Sequence, residues 1–577
     1  VGLFLIYSAM SFAVLQRRKT FAVLRALGAT RPVLMRLVLA EAAVLGAAGA
    51  LLGLLAGIGL GRGLVALVSS TINDLYFVVA VRSIALPPSA LLEAAGAGIL
   101  TALVAAALPA WEATGVAPQL GLRRSVLEQR ARGMARVLVG VSAALGVAAG
   151  IVIATSSRSL LAGFVALFLL LLSVAACTPA LLDGSARLAS RWLGRASPIG
   201  RIALGGVAAS LSRTGVAVAA LGLAIAAMIG VSVMVASFRE SLDAWLARTM
   251  SADIYVSAPG PGFGRPERRL DPAIIAALEK VPGIARASAS RSVRVGSSRG
   301  PVMLEAVGLA AGRASGVVLT ARRGDVWQAF AHGAVLVSQS LAWRFELHPG
   351  DRLTLRTDGG PQPFAIAGIY RDYGSGGGVL IDRAVYRRAW GDDGVTSLGL
   401  YLAPGARSAQ VIPALYAAAG GRQALLIASN AEVRALSLRL FDRTFVITRV
   451  LEWLAAGVAA IGLASSLLAW ELEHAREVSV LRSLGLAPRG AALLIEAQTI
   501  FMGLVALAAA IPAGLLAAYL LVTVVNRRAF GWQIGFHLHA GDLASALRVA
   551  LVAAVAAGLY PAWRSARRPI AADVREE

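Results

Sequence analysis

Polar and apolar positions alternate along this chain on two length scales. Nine long apolar stretches occupy residues 1–15, 37–68, 90–111, 137–155, 160–182, 216–237, 450–470, 493–525 and 543–562. Most are close to the ~20 residues that a helix needs to cross a bilayer. The two longest, 37–68 and 493–525, leave room for tilt or run past the interface. Between residues 238 and 447 the pattern changes. Period-2 runs such as Asp253-Ile254-Tyr255-Val256 and Phe364-Ala365-Ile366-Ala367-Gly368-Ile369-Tyr370 predict strands. Helices are predicted between them at 271–280, 338–345 and 382–390. About 200 residues suffice for an α+β domain of one or two subdomains. Residues 431–470 hold no proline or glycine before Gly457, with a polar outer half and an apolar inner half. This predicts a continuous helix about 60 Å long, roughly twice the hydrocarbon core, standing out of the membrane as a stalk. A break near Asp442 is the alternative, because capping residues are present there.

Composition agrees with a membrane protein. Of 577 residues 57% are hydrophobic, the mean hydropathy is +0.71 and the net charge is +23. A charge this large can signal nucleic acid, but its placement does not. The arginines crowd into one set of loops: Arg17, Arg18, Arg25, Arg31 and Arg36; Arg123 to Arg136; Arg187 to Arg213; Arg476, Arg482 and Arg489; and Arg564 to Arg575. The alternate short loops hold only Arg82, Arg158, Arg527 and Arg528. That alternation places the basic loops and the C-terminus in the cytoplasm and 238–447 outside, and no nucleic-acid partner is expected. Val1 is not an initiator, and no basic region precedes the apolar run 1–15, so that run reads as the tail of a span rather than a signal peptide. Cys177, the only cysteine, sits in an apolar run and reads as a small buried hydrophobe.

The chain repeats itself. Leu24-Arg25-Ala26-Leu27-Gly28 returns as Leu481-Arg482-Ser483-Leu484-Gly485, at an offset of 457 that holds without a gap to Gly46 and Gly503. Each copy ends on a matched string, Pro109-Ala110-Trp111 and Pro561-Ala562-Trp563. Gly28 and Gly485 suit the C-caps of short amphipathic basic helices. Such helices can lie on anionic lipid or receive a docked protein, and composition does not decide between them. Further on, Gly49, Gly53, Gly57 and Gly61 recur every four residues, and the offset places Ala506, Ala510, Gly514 and Ala518 opposite them. A small face permits close helix approach; chance in an Ala/Gly-rich segment is the plain alternative.

Candidate chemistry is sparse. A P-loop needs a lysine after glycine to reach phosphates, and the two lysines, Lys19 and Lys280, stand in no such loop. Segments 137–155, 160–182 and 216–237 carry no charge, whereas Glu41, Glu93, Glu452, Glu496 and Arg548 fall near span ends, which weakens an ion-coupled transporter. His537-x-His539 has no cysteine and few acids nearby and reads as two solvated interface histidines. Ser338-Gln339-Ser340 lacks a nucleophile elbow. No metal, cofactor or catalytic residue is expected on this chain.

The Arg-x-Leu-Gly turns, the glycine-rich span and the terminal Pro-Ala-Trp resemble the FtsX/MacB/LolCE-type permeases of ABC transporters. Ser210-Leu211-Ser212-Arg213-Thr214, entering a span and then a large outer domain, is similar to the start of a MacB-type periplasmic core unit. The resemblance implies a polytopic α-helical membrane protein with an inserted extracytoplasmic α+β domain, in a MacB-like (type VII ABC) architecture of the bacterial inner membrane. It divides the chain into a first FtsX-like repeat (1–111), a linker (112–136), two linker spans (137–182), a second linker (183–213), a span (214–237), the core domain with its stalk (238–447) and a second repeat (448–577). The fused architecture it implies has ten spans, the first preceding Val1. Two copies of a separate cytoplasmic ATPase, holding ATP-Mg, are expected on Arg25, Leu27 and Gly28 and on Arg482, Leu484 and Gly485. Glu41 faces Gln498 and Pro32 faces Arg489 across the repeat, so the two docking sites are expected to be unequal. Membrane lipid and a periplasmic carrier or outer-membrane component are the further partners implied. The implied function is export or extraction of lipoprotein, lipid or peptide. The alternative is a mechanotransmitting scaffold that regulates a periplasmic partner such as a cell-wall hydrolase.

Overall fold

The computed structural model describes residues 6, 10, 17–73, 87–115, 124–193, 198–209, 211–259, 268–308, 316–373, 377–473, 480–483 and 485–567. The first 15-residue segment, apart from Ile6 and Met10, lies outside these, as do Leu484 and Gly374 to Gly376. A short basic helix, α1 (Arg18–Ala26), leads into two long apolar helices, α2 (Arg31–Asn73) and α3 (Pro88–Gly115). Helices α4 (Arg124–Thr155) and α5 (Leu160–Leu193) pack as a hairpin. Then α6 (Pro198–Ala209) precedes α7 (Leu211–Thr249), whose 39 residues make a rod of about 58 Å.

Helix α7 feeds β1 (Ile254–Ser257) and the outer domain. This runs through α8 (Pro272–Leu278), β2 (Ile284–Ser297), β3 (Gly300–Val307), β4 (Leu319–Arg322), α9 (Val326–Ala331), β5 (Val335–Ser338) and α10 (Gln339–Phe345). It continues as β6 (Arg352–Thr357), β7 (Gly360–Tyr370), β8 (Gly378–Asp382), α11 (Arg383–Trp390), β9 (Ser397–Leu402), α12 (Ser408–Ala419) and β10 (Leu426–Ser429). One mixed sheet joins them in the order β10-β1-β9-β2-β3-β8-β5-β7-β4, with β6 pairing β2 and β7. The predicted helices start where their caps are. The Asp271 carboxylate accepts from Ala273 N–H at 2.8 Å, Ser338 Oγ from Leu341 N–H at 3.3 Å and Asp382 Oδ1 from Ala384 N–H at 2.8 Å.

Three cores lie along this sheet, one of them around Phe330, Leu336 and Tyr370, and β2, at 14 residues, serves the other two. The stalk-side core gathers Ile254 and Val256 with Leu398, Leu400, Leu278 and Leu415. The far core gathers Leu304, Val335, Leu355 and Ile381 with Tyr386 and Trp390 of α11. Arg291, itself buried, reaches Asp392 at 2.9 Å, where Tyr386 Oη also donates at 2.9 Å and Gly394 N–H at 2.8 Å. Burial opposes the charged form of Asp392, but these donors outweigh it and hold the carboxyl down at about 2. At the sheet edge the Tyr416 hydroxyl accepts from Ile427 N–H at 3.3 Å, occupying a group that a free strand would offer to another chain.

The chain returns through α13 (Asn430–Thr444) and α14 (Val446–Glu473). A capping box starts α13, with Ser429 and Glu432 exchanging bonds. The expected continuous stalk helix is instead two helices, separated at Phe445, whose φ of −91° and ψ of 1° leave helical geometry. The break replaces regular propagation with aromatic packing. The rings of Phe441 and Phe445 lie 4.6 Å apart, and both close on Phe238 of α7, at 5.0 and 6.3 Å. Two ion pairs bind α13 to α7: Arg239 to Asp442 at 2.9 Å, and Arg434 to both oxygens of Asp243 at 2.7 Å. At the top, Asn430 Nδ2 donates to the carbonyls of Met250 and Ala252 at 2.8 and 3.0 Å, and its N–H donates to Asp253 O at 2.9 Å.

The last part comprises α15 (Pro488–Leu520), a π-helical turn (Leu521–Val525), α16 (Asn526–Phe530) and α17 (Ala540–Arg567). Among the described residues, seven helical spans are long and apolar enough to cross a membrane: Arg31–Gly63, Pro88–Ala107, Val137–Thr155, Leu160–Arg191, Thr214–Thr249, Pro488–Phe530 and Ala540–Ser565. Helix α14 covers the predicted 450–470 segment and packs on α7 and α17. The membrane core is built where Leu221, Ile225 and Ile229 of α7 meet Met502, Ala506 and Ala510 of α15 and Ala546 and Ala550 of α17. Small residues on α15 bring the backbones close.

Candidate functional site

The two matched turns have one geometry. Gly28 has φ 99° and Gly485 φ 105°, values that glycine adopts without a Cβ penalty. Gly28 N–H donates to Arg25 O at 3.1 Å, and Ala29 N–H to Leu24 O at 2.9 Å. In the second copy Gly485 N–H donates to Arg482 O at 3.1 Å, and Leu486 N–H to Leu481 O at 3.0 Å. Each pair of bonds is a Schellman cap, which satisfies carbonyls at a helix end and redirects the chain into the next span. In the first copy Leu27 projects 79% exposed. In the second, Arg482 Nη1 donates to Ser565 O of α17 at 3.4 Å. A stiff cap carrying an outward side chain at the mouth of a span is a surface on which a partner can push.

Behind the turns the repeats agree again. A Cβ on Gly46 would lie 2.7 Å from Ala102 Cβ, and one on Gly503 2.6 Å from Ala554 Cβ, so each repeat closes its helix pair at one glycine. Ala110 and Ala562 are both buried. The first divergence follows. Glu41 pairs with Arg17 at 2.9 Å, whereas Gln498, buried, donates to Ala203 O of α6 at 3.3 Å.

The small-residue faces diverge further. Ala506, Ala510 and Ala518 are fully buried, and a Cβ on Gly514 would fall 2.6 Å from Ile229 Cβ and 2.9 Å from Ala226 O of α7. For Gly49, Gly53, Gly57 and Gly61 a Cβ would meet nothing within 4 Å. These four line an apolar cavity of about 700 Å³ bounded by α2, α3 and the described residues Ile6 and Met10.

At the opposite end of α15 lies a dense junction. Trp343 of α10 lies between two guanidiniums, Arg158 at 5.1 Å and Arg527 at 4.7 Å from its ring centre. Arg158 also pairs with Glu346. Arg528 donates to Ser159 O at 3.0 Å, to Ile153 O at 3.4 Å and to Ser156 O. Nearby, Tyr373, Trp532, Phe238 and Trp245 form an aromatic cluster, and Tyr373 Oη donates to Gln533 O at 3.1 Å. The one signal in the sequence was scarcity: Arg158, Arg527 and Arg528 are nearly all the positive charge of the short outer loops. His537 and His539 lie here too, 3.9 and 3.3 Å from Glu240 Oε2. Among the described residues no three His, Cys, Asp or Glu side chains converge to hold a metal. Ser338 is fully buried, its Oγ accepting from Gly378 N–H at 2.9 Å as well as capping α10.

Long apolar helices, a large mixed-sheet domain inserted between two of them and a duplicated turn define a polytopic helical membrane protein of MacB-like architecture. Residues 1–118 and 450–570 match the FtsX-like permease C-terminal family, and residues 214–418 match the MacB-like periplasmic core domain. An uncharacterized ABC transporter permease protein of Mycobacterium tuberculosis is 40% identical over 585 residues, covering 100% of this chain and 68% of the relative. The chain belongs to the ABC transporter permease family. Two solved structures are similar in part. The extracellular domain of the noncanonic ABC-type transporter YknZ from Gram-positive bacteria is 14% identical, covering 31% of this chain and 100% of its own, with a TM-score of 0.23. The periplasmic region of MacB from Actinobacillus actinomycetemcomitans is 14% identical, covering 32% and 92%, with a TM-score of 0.24.

Proposed function

We propose that this chain is the membrane-spanning subunit of an ABC transporter whose two cytoplasmic turns each receive one copy of a separate ATPase. Arg25, Leu27 and Gly28 form one receiving surface; Arg482, Leu484 and Gly485 form the other. ATP-Mg belongs to the partner, and this chain converts its closure into motion. The observation that carries the reading is the repeated Schellman turn: one backbone device built twice in one chain, each at the entry to a span. From the second turn, α15 runs 33 residues, about 50 Å, to the junction beneath the outer domain. Helices α7 and α13 carry the displacement onward. The cargo class in this reading is a lipoprotein, lipid or peptide extracted or exported at the outer face of the membrane, and the C-terminus is cytoplasmic.

The test is the charge reversal Arg25→Glu with Arg482→Glu in the full-length protein, reconstituted with its partner ABC ATPase. At least a tenfold loss of permease-dependent ATP hydrolysis is expected, with the membrane fold intact. Hydrolysis that responds to the permease as before would remove the turns from the coupling path.

A further inference from the structure

We propose that the outer loop of the α4–α5 hairpin and helix α16 form a clasp that sets the resting position of the outer domain on the membrane, with Trp343 held between them. Nothing in the family matches covers the hairpin, which lies between residues 118 and 214. The proposal does not depend on an ATPase partner.

The geometry starts from how the domain is hung. Its stalk-side core is attached through β1 and β10, which continue directly from α7 and into α13. The far core has a different attachment. It carries α10, and Trp343 of α10 lies between Arg158 of the hairpin and Arg527 of α16. A domain hung at one end can rock about that end, and the clasp, beside the cluster of Tyr373 with Trp245 and Trp532, restricts that freedom. The jaw that makes this contact is itself rigid. Arg528 binds the carbonyls of Ile153, Ser156 and Ser159 and so fixes the end of α4 and the hairpin loop to α16. Arg158 and Arg527 therefore move as one piece.

Two backbone features show that the fit is built. Glu346, which follows α10, has φ 56°, the positive-φ non-glycine among the described residues. That conformation favours glycine or asparagine, and here it carries a carboxylate that pairs with Arg158. On the other side, Gly531 ends α16 at φ 78°, and a Cβ there would lie 2.9 Å from Trp343 Cβ and 3.0 Å from Ser340 Cα. Gln339 Oε1 accepts from Gln533 N–H at 3.3 Å just beyond. Contacts made by aromatic faces and exposed guanidiniums release more readily than a packed core, so this junction holds a position and can give it up.

The experiment uses the full-length protein in nanodiscs with Cys177→Ser and spin labels at Leu161→Cys and Asp358→Cys, both exposed and outside the clasp. Pulsed electron spin resonance is expected to give one narrow distance. Trp343→Ala should widen that distribution at least twofold or add a longer population. Gly531→Ala, which leaves every charged partner in place and acts as a wedge, should do the same. Glu346→Gly should loosen the contact while leaving the melting temperature of the outer domain unchanged or higher, because it relaxes the backbone. Should Trp343→Ala fail to fold, Gly531→Ala and Arg527→Gln decide the matter alone. If the folded variants keep the single narrow distance, the outer domain is positioned without the clasp and the proposal is overturned.

Discussion

The two FtsX-like repeats share a sequence offset, a Schellman turn and a glycine-to-alanine helix contact, yet their span faces live differently. In the second repeat, Ala506, Ala510, Gly514 and Ala518 are covered by α7, the helix that enters the outer domain. In the first, Gly49, Gly53, Gly57 and Gly61 line an open apolar cavity. The turn and the hairpin contact are made by residues close together within each repeat, so duplication reproduces them. What the outer side of the span meets is supplied from elsewhere, and duplication of the repeat does not carry it along. The lesson is that a repeat transmits its own joints faithfully, while its function depends on the neighbour it acquires.

The sharpest way to break this comparison is to put the same side chain on both faces. Gly514→Val places methyl groups against Ile229 and the Ala226 carbonyl and should cost about 3 kcal/mol. Its counterpart Gly57→Val meets nothing and should stay within about 0.5 kcal/mol. Thermal unfolding in nanodiscs reads both, and equal losses would mean that the faces are packed alike.

Acid acts on the outer domain through Asp392. Asp392 is held at about 2 in the folded domain, against about 3.9 in an unfolded chain. A depressed carboxylate contributes stability that is fully present above about pH 4 and is lost as pH falls through 2, here about 2 kcal/mol. The outer domain of Asp392→Asn should lose most of its stability change across that window, measured by the Trp390 environment. A slope that persists in the variant would assign the acid sensitivity to other groups.

The smallest effect should be the most symmetric. Gly28→Ala and Gly485→Ala each force a Cβ into a positive-φ position, at about 1 kcal/mol apiece. Hydrogen exchange at the Ala29 and Leu486 amides should rise by similar factors. A tenfold difference between them would show that the two turns are not one unit.

Much of this was legible because the determining signals are local. Asp271, Ser338 and Asp382 announce helix starts by capping chemistry, and the segments 137–155 and 160–182 announce spans by length and apolarity. Gly28 and Gly485 announce a change of direction after a basic helix. The small-residue faces could not be told apart, because both copies are rich in alanine and glycine and the difference lies in α7. The stalk break was legible only as the alternative near Asp442: no proline or glycine marks Phe445, and the rings that close there include one on another helix, Phe238. The Trp343 contact joins residues nearly 200 positions apart, with no pattern to pair them.

The pairing of β1 with β10 deserves to be thought of as a fastening under load. The two strands are antiparallel neighbours, Ile254 opposite Ser429 and Ser257 opposite Leu426, and the stalk helices leave from the Ile254–Ser429 end. Splaying those helices peels the strands from that end, one bond after another, rather than shearing many bonds at once. Asn430 stands at the mouth of the seam, tied to Met250, Ala252 and Asp253. It is the rivet at which a tear between the two strands would have to begin.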